Sequence, residues 1–328
     1  MNTKQEANDI TIRLADSKDI PTLVSFNLSL AEETENLKLD SEKITGGVQE
    51  ILKNPQIGFY IVTESEGKLL GTTMLTSQFD CQANKVVFWI QSVFVDASQR
   101  KKGYFKGMFN YMKEYSKNQG SPYMKLYAEY NNEKAIATYQ RLGMYITKEK
   151  LIQIDFCYGG KEVPEVLSEW AKALGEKEPK VEVEFARPED VDFITGKTDF
   201  EVLIGGSDLG DFKEGVAKGI QLTENLVKIF VISKNQERLG FAVLFPEFSD
   251  WRNGFSYYLT HLCFNSKASN DDDIKESIRG ILNKLKDWNI QSFRVLALPD
   301  NKRGEELFEK MGFCEAHMKV LQLDLSDN

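Results

Sequence analysis

Apolar and polar positions alternate between two periods along this chain. Phe88–Val95 is an apolar run of strand length, and Tyr123–Glu129 reads as a second strand. Between them, Met108, Phe109, Tyr111, Met112 and Tyr115 recur at helical spacing and predict a helix over roughly Lys106–Asn118. That strand empties into Gln99-Arg-Lys-Lys-Gly103-Tyr-Phe105, a basic, glycine-containing turn that opens the helix. A helix start of this kind offers an anion several backbone N–H groups, the positive end of a dipole and nearby cations.

The pattern then recurs. At an offset of 169, Leu69-Leu-Gly71 answers to Arg238-Leu-Gly240, Phe88-Trp89-Ile90 to Tyr257-Tyr258-Leu259, and Asn132 to Asn301. Tyr139 falls on Phe308, Leu142-Gly143-Met144 on Met311-Gly312-Phe313, and Lys150–Phe156 on Lys319–Leu325 with the polar residues in matching places. One offset held across so many separated strands is an internal duplication. Each copy reads as a strand, one or two helices, a meander of strands, then strand–helix–strand–helix and a closing hairpin. The fold class predicted is α+β (mixed α/β): two tandem domains of about 150 residues, each a mostly antiparallel twisted sheet flanked by helices. The boundaries read as residues 1–157, a linker 158–180 with a short helix near 163–174, and residues 181–328.

The two copies differ at the phosphate turn. Arg100-Lys-Lys-Gly103 in the first faces Ser269-Asn-Asp-Asp272 in the second, and Asp273 adds a third carboxylate. Carboxylates there repel an anion, and the loss of glycine closes off backbone approach. The plainer reading of the aspartates is helix capping, which suits a vacated anion site.

The basic turn, with Asn132-Glu-Lys-Ala135-Ile-Ala-Thr-Tyr139 and the Leu142-Gly143-Met144 that follows, resembles motifs A and B of the GNAT superfamily of acyl-CoA-dependent N-acyltransferases. Phe105 departs from the small residue that pattern prefers. The resemblance implies acetyl-CoA as acyl donor, with Arg100, Lys101, Lys102, Gly103, Tyr104 and Phe105 around the pyrophosphate. It places a backbone oxyanion donor within Val93, Phe94 and Val95, and Asn132 and Ala135 beside the pantetheine, with N-capping an equal role for Asn132. It makes Tyr139 the acid that protonates the departing thiolate, a role suited to a phenol, whereas Phe308 keeps the packing and drops the hydroxyl. Glu129 is the candidate base, and Glu32 and Glu33 are candidates for holding a cationic amine. The implied reaction is acetyl transfer to a primary amine of a small molecule by direct attack in a ternary complex. The alternatives are a peptide, protein or aminoglycoside-like acceptor, or a non-catalytic coenzyme A sensor.

Composition narrows the picture. A net charge of −9 argues against a nucleic-acid partner, and no apolar run approaches the ~20 residues a membrane span requires. The polar N-terminus and four scattered cysteines fit a reducing cytoplasm, and the cysteines indicate neither a zinc site nor a disulfide framework. Both histidines, His261 and His317, lie in the second copy, so the first has no Ser-His-Asp or Cys-His nucleophile and no histidine-rich metal site. His261 aligns with Ser92 inside a strand and reads as a satisfied structural residue. The loop Ser249-Asp-Trp251-Arg252-Asn-Gly254 reads first as a hairpin turn, and as part of the acceptor cleft only if the fold brings it there. The second domain is expected to act as scaffold in place of a dimer partner, which predicts a monomer.

Overall fold

The computed structural model describes residues 3–5 (backbone only), 10–156, 165, 168–169, 181–196, 200–206, 212–222, 226–265 and 270–325. The first half runs β1 (Thr3–Gln5), β2 (Ile10–Leu14), α1 (Ile20–Glu35), α2 (Ser41–Lys53), β3 (Gly58–Ser65), β4 (Lys68–Asp80), β5 (Lys85–Val95), α3 (Tyr104–Asn118), β6 (Tyr123–Glu129), α4 (Glu133–Arg141) and β7 (Tyr145–Asp155). The second runs β8 (Val181–Phe185), α5 (Val191–Gly196), β9 (Phe200–Ile204), α6 (Phe212–Gln221), β10 (Lys228–Lys234), β11 (Glu237–Ser249), β12 (Gly254–Asn265), α7 (Asp271–Leu285), β13 (Ile290–Ala297), α8 (Lys302–Lys310) and β14 (Cys314–Asp324). Of the linker at 158–180, only residues 165, 168 and 169 are described, all helical; the rest of it lies outside the described residues, as do Cys157 and Ser269.

The fourteen strands of the described residues form one sheet, ordered β1-β2-β3-β4-β5-β6-β14-β7-β13-β12-β11-β10-β8, with β9 paired to β12. The order corrects one expectation. Neither copy closes with its own hairpin: β14, from the end of the chain, lies between β6 and β7, and β7 pairs with β13. The halves have exchanged their last strands. Lys150–Asp155 and Lys319–Asp324 carry the same apolar–polar order, so either strand presents a matching face to either sheet.

The exchange joins the halves through a core built from both. Trp89, Leu151, Phe245, Tyr258, Leu296 and Val320 form one buried cluster at the junction. Trp89 and Tyr258 are repeat equivalents, as are Leu151 and Val320, so the contact is close to isologous. Two loops lock it from outside. The turn after β11 lies on α2 where Gly47 leaves no side chain, and a Cβ there would meet the Asp250 carbonyl oxygen at 2.1 Å. The turn after β4 lies on α6 at the equivalent Gly215, whose Cβ would meet the Cys81 carbonyl oxygen at 1.7 Å. Glycine is required at both helices because a backbone occupies the space.

Among the described residues, no helix is long and apolar enough to cross a membrane, and no three His, Cys, Asp or Glu are placed to hold a metal ion.

Candidate active site

In the first half, β5 and β6 are parallel neighbours only at Phe88–Met124 and Trp89–Lys125. Beyond that point β6 pairs with β14 and β5 with β4, so the strands part. The edge of Ile90–Val95 that faces the gap has no strand partner. Within this stretch β5 carries a bulge opposite Thr73, and Ser92 takes the left-handed conformation, φ +48°. Bulges re-aim side chains, and here Ser92 turns toward a cavity of about 580 Å³ lined from both halves.

At the gap's outer end stands the basic turn. Helix α3 begins at Tyr104, two residues earlier than its apolar pattern suggested, after Gly103 at φ +86° and with no side chain capping its N-terminus. Nothing lies within 4 Å of where a Gly103 Cβ would be, so the backbone is open to a ligand. Phe105, the departure from the small residue preferred there, turns inward, its ring edge-on to Phe109 and Tyr139. Lys102 is exposed and bonded to Gln99 (2.9 Å). Arg100 lies over Phe94 and pairs with Glu33.

Tyr139, on α4, lines the cavity and makes no hydrogen bond to any described residue; burial pushes its phenol up to about 12. Asn132 caps α4 by accepting from the Ala135 N–H (3.2 Å). Asn301 does not repeat this. Its side chain caps no helix and instead bridges Gly205 and the Leu298 N–H.

The acidic residues sort differently from expectation. Glu129 lines the cavity at the end of β6, whereas Glu32 and Glu33 do not reach it; the helical carboxylate there is Glu35. Asn27, Ala31 and Glu35 recur at i, i+4, i+8, with Asn27 and Ala31 buried, and that periodicity singles out Glu35. Crowding at the mouth, and then the neighbouring Glu129, raise the Glu35 carboxyl, although its side chain still reaches water.

The rest of the cavity comes from the second half. The 249–254 segment is both a hairpin turn and a wall of the site. Asp250, 3% exposed, accepts from the Tyr60 hydroxyl, from Ser92 (3.3 Å to each carboxylate oxygen) and from the Trp251 N–H (3.0 Å). Burial raises its carboxyl against those hydrogen bonds. The Trp251 indole donates to Asn27 (2.9 Å), and Arg252 pairs with Asp155 (2.7 Å). Deeper, Glu247 is enclosed by Gln91 (2.6 Å), Tyr127 and Tyr258 (3.0 Å each), with the Arg294 guanidinium 3.8 Å away. Burial raises Glu247 as well, and Arg294 opposes the shift. Sequence reading missed Asp250 and Glu247 because their partners in the first half lie 120 to 190 residues away, with only the Trp251-Arg252 pair as a signal.

The corresponding opening of the second half is filled. Past the parallel pairing of β12 with β13, strand β9 takes the vacant edge, Ile204 to Leu262 through Phe200 to Asn265. Helix α7 is capped by Asn270, Asp273 pairs with Lys234 (2.7 Å), and Arg303 joins Asp271 (2.7 Å). His261 stands at a smaller cavity of about 320 Å³, and burial lowers it to about 4. It is only half satisfied: Nδ1 meets Thr260 (3.2 Å), and Nε2 is buried without a partner among the described residues.

Residues 25–144 match the Acetyltransferase (GNAT) family. A possible acetyltransferase from Clostridium difficile 630 is 38% identical, over 42% of this chain and 91% of that one, with a TM-score of 0.41. A tandem GNAT protein from the clavulanic acid biosynthesis pathway is 8% identical, over 97% of this chain and 99% of its own, with a TM-score of 0.56. A putative acetyltransferase from Pyrococcus horikoshii is 14% identical, over 99% and 92%, with a TM-score of 0.53. The last two share the fold across both halves. No curated protein matches the chain.

Proposed function

The chain belongs to the Acetyltransferase (GNAT) family, and from that premise we propose that it transfers acetyl from acetyl-CoA to a primary amine of a small molecule, in a ternary complex on its first half. The observation that carries the reading is the meeting of three features at one gap: a parted β5 and β6, an uncapped α3 with open backbone at Gly103, and a cavity rich in carboxylates.

The fit to acetyl-CoA rests on this chain's own groups. The free N–H groups at the start of α3, with Arg100, Lys101 and Lys102, suit a pyrophosphate. The unpaired edge of β5 over Val93, Phe94 and Val95 suits the pantetheine amides and offers an N–H to the thioester oxygen. Acetyl-CoA, when bound, supplies the activated acetyl group. Tyr139 holds its proton through the physiological range and gives it to the sulfur that leaves. Glu35 and Glu129, at the mouth, draw in the ammonium form of the acceptor.

The second half, on this reading, holds no acetyl-CoA. Its gap is taken by β9, its helix is capped by Asn270, and three aspartates open that helix. It is a structural partner that lends one wall of the acceptor site and a closing strand, so a single chain supplies what two subunits would otherwise share, in a cytoplasmic monomer.

The test is thiol release from acetyl-CoA on addition of a primary-amine panel, with mass spectrometry of the products. Amine-dependent release with N-acetylated product supports the reading. Acetyl-CoA binding without turnover on any amine refutes it in favour of a sensor.

A further inference from the structure

Acyl transfer to an amine needs a group to take the proton that holds the nitrogen lone pair. The proposed function leaves this group open, and the inference rests on that reading. We propose that Asp250, lent by the second half, is the terminal proton acceptor, and that Ser92 relays the proton to it.

Five carboxylates line the cavity. Glu35 is exposed and Glu129 half-buried at the mouth. Asp155 is engaged by Arg252, and Glu247 is enclosed by Gln91, two tyrosines and Arg294. Asp250 alone is both buried and in contact with a hydroxyl on β5, the strand that borders the gap. That hydroxyl is on Ser92, the left-handed residue at the bulge, next to Val93 on the edge assigned to the thioester. A residue in that conformation is uncommon outside turns, and such outliers cluster at functional sites. The carboxylate is also held from every side. Tyr60 on β3 and the Trp251 N–H donate to it, Asn27 on α1 bonds both Tyr60 and the Trp251 indole, and α2 presents Gly47 to its backbone.

The step balances. The ammonium R–NH₃⁺ gives one proton to the Ser92 oxygen as Ser92 passes its own to Asp250. The neutral nitrogen forms its bond to the carbonyl carbon as the carbon–sulfur bond breaks. Tyr139 gives its proton to the departing sulfur, and the second proton lost from nitrogen restores the Tyr139 phenol. Ammonium and thioester become amide, thiol and one proton, which Asp250 releases to water.

The experiment compares wild type with Asp250→Asn and Ser92→Ala, using the best alkylamine from the panel and its β,β,β-trifluorinated analogue. The analogue's lower pKa leaves it neutral at the assay pH, so it arrives without the proton Asp250 must take. Asp250→Asn is expected to lose about 10²-fold in kcat with the alkylamine, at least tenfold less with the analogue, and nothing in acetyl-CoA affinity measured by calorimetry. Ser92→Ala, which leaves the carboxylate in place, is expected to follow the same pattern, and the double variant to be no slower than Asp250→Asn. Equal losses on both acceptors mark a merely structural role and overturn the proposal, as does a variant as fast as wild type. A wild type that turns over no amine overturns both this proposal and the reading it rests on.

Discussion

The two glycine contacts permit a matched steric experiment. A Cβ at residue 47 would lie 2.1 Å from the Asp250 carbonyl oxygen and 2.8 Å from its carbon. Restoring a contact of about 3.4 Å means that Gly47→Ala must push the 249–254 turn outward by about 1.3 Å. That turn carries Asp250, Trp251 and Arg252 into the cavity. The Trp251–Asn27 bond of 2.9 Å and the Ser92–Asp250 contacts of 3.3 Å do not survive such a shift. Overpacking costs about 1–3 kcal/mol, and alanine in a helix recovers close to 1 kcal/mol over glycine, so the net stability loss is about 0–2 kcal/mol. The catalytic loss is larger, about 10²-fold in kcat/KM, because misplacement near 1 Å spoils attack geometry. Gly215→Ala delivers the mirror insult, with a Cβ 1.7 Å from the Cys81 carbonyl oxygen, but moves only the turn beside the smaller cavity. It is expected to lower thermal stability at least as much and to leave kcat/KM within about twofold of wild type. Melting curves and steady-state kinetics on both variants decide it. Wild-type kinetics in Gly47→Ala, or equal kinetic losses in the two, refute the asymmetric use of the halves.

Two further outcomes follow. Tyr139→Phe removes a hydroxyl that bonds to no described residue, so it is expected to change stability by less than about 0.5 kcal/mol while lowering kcat about 10²-fold; an unchanged kcat refutes the acid role. His261, neutral when folded and lowered from 6.5 to about 4, binds its proton more readily unfolded. Its contribution is full above pH 6.5 and is lost as pH falls through 4, a difference on the order of 3 kcal/mol. His261→Gln is therefore expected to flatten the decline of the melting temperature between those values, and an equally steep decline contradicts the assignment.

How far the sequence carried this account depended on range. Local pattern placed β6 at the residues observed and found the basic turn that opens α3, because alternation and helical spacing are written in neighbouring positions. The single offset of 169 revealed the duplication; that the equivalent residues Trp89 and Tyr258 meet at the junction is seen only in the fold. The offset could not anticipate the exchange of β7 and β14: two strands with the same order of polar and apolar positions say nothing about which sheet each joins. The plug of the second gap was equally hidden, since Phe200–Ile204 is a five-residue strand where the first copy continues α1. Helical periodicity held the signal for Glu35 over Glu32 and Glu33. Nothing local ties Asp250 to Tyr60 and Ser92, because that contact exists only after both halves have folded.

The proposed function puts one acyl-donor site on each chain, on the first half. Calorimetric titration of acetyl-CoA into the protein, repeated with Arg100 and Lys102 both changed to Glu, tests it most directly. A stoichiometry of one, lost in the double variant, is expected, because the charge reversal faces the only helix start among α3 and α7 that no side chain caps. Two sites, or one site indifferent to the reversal, would contradict it.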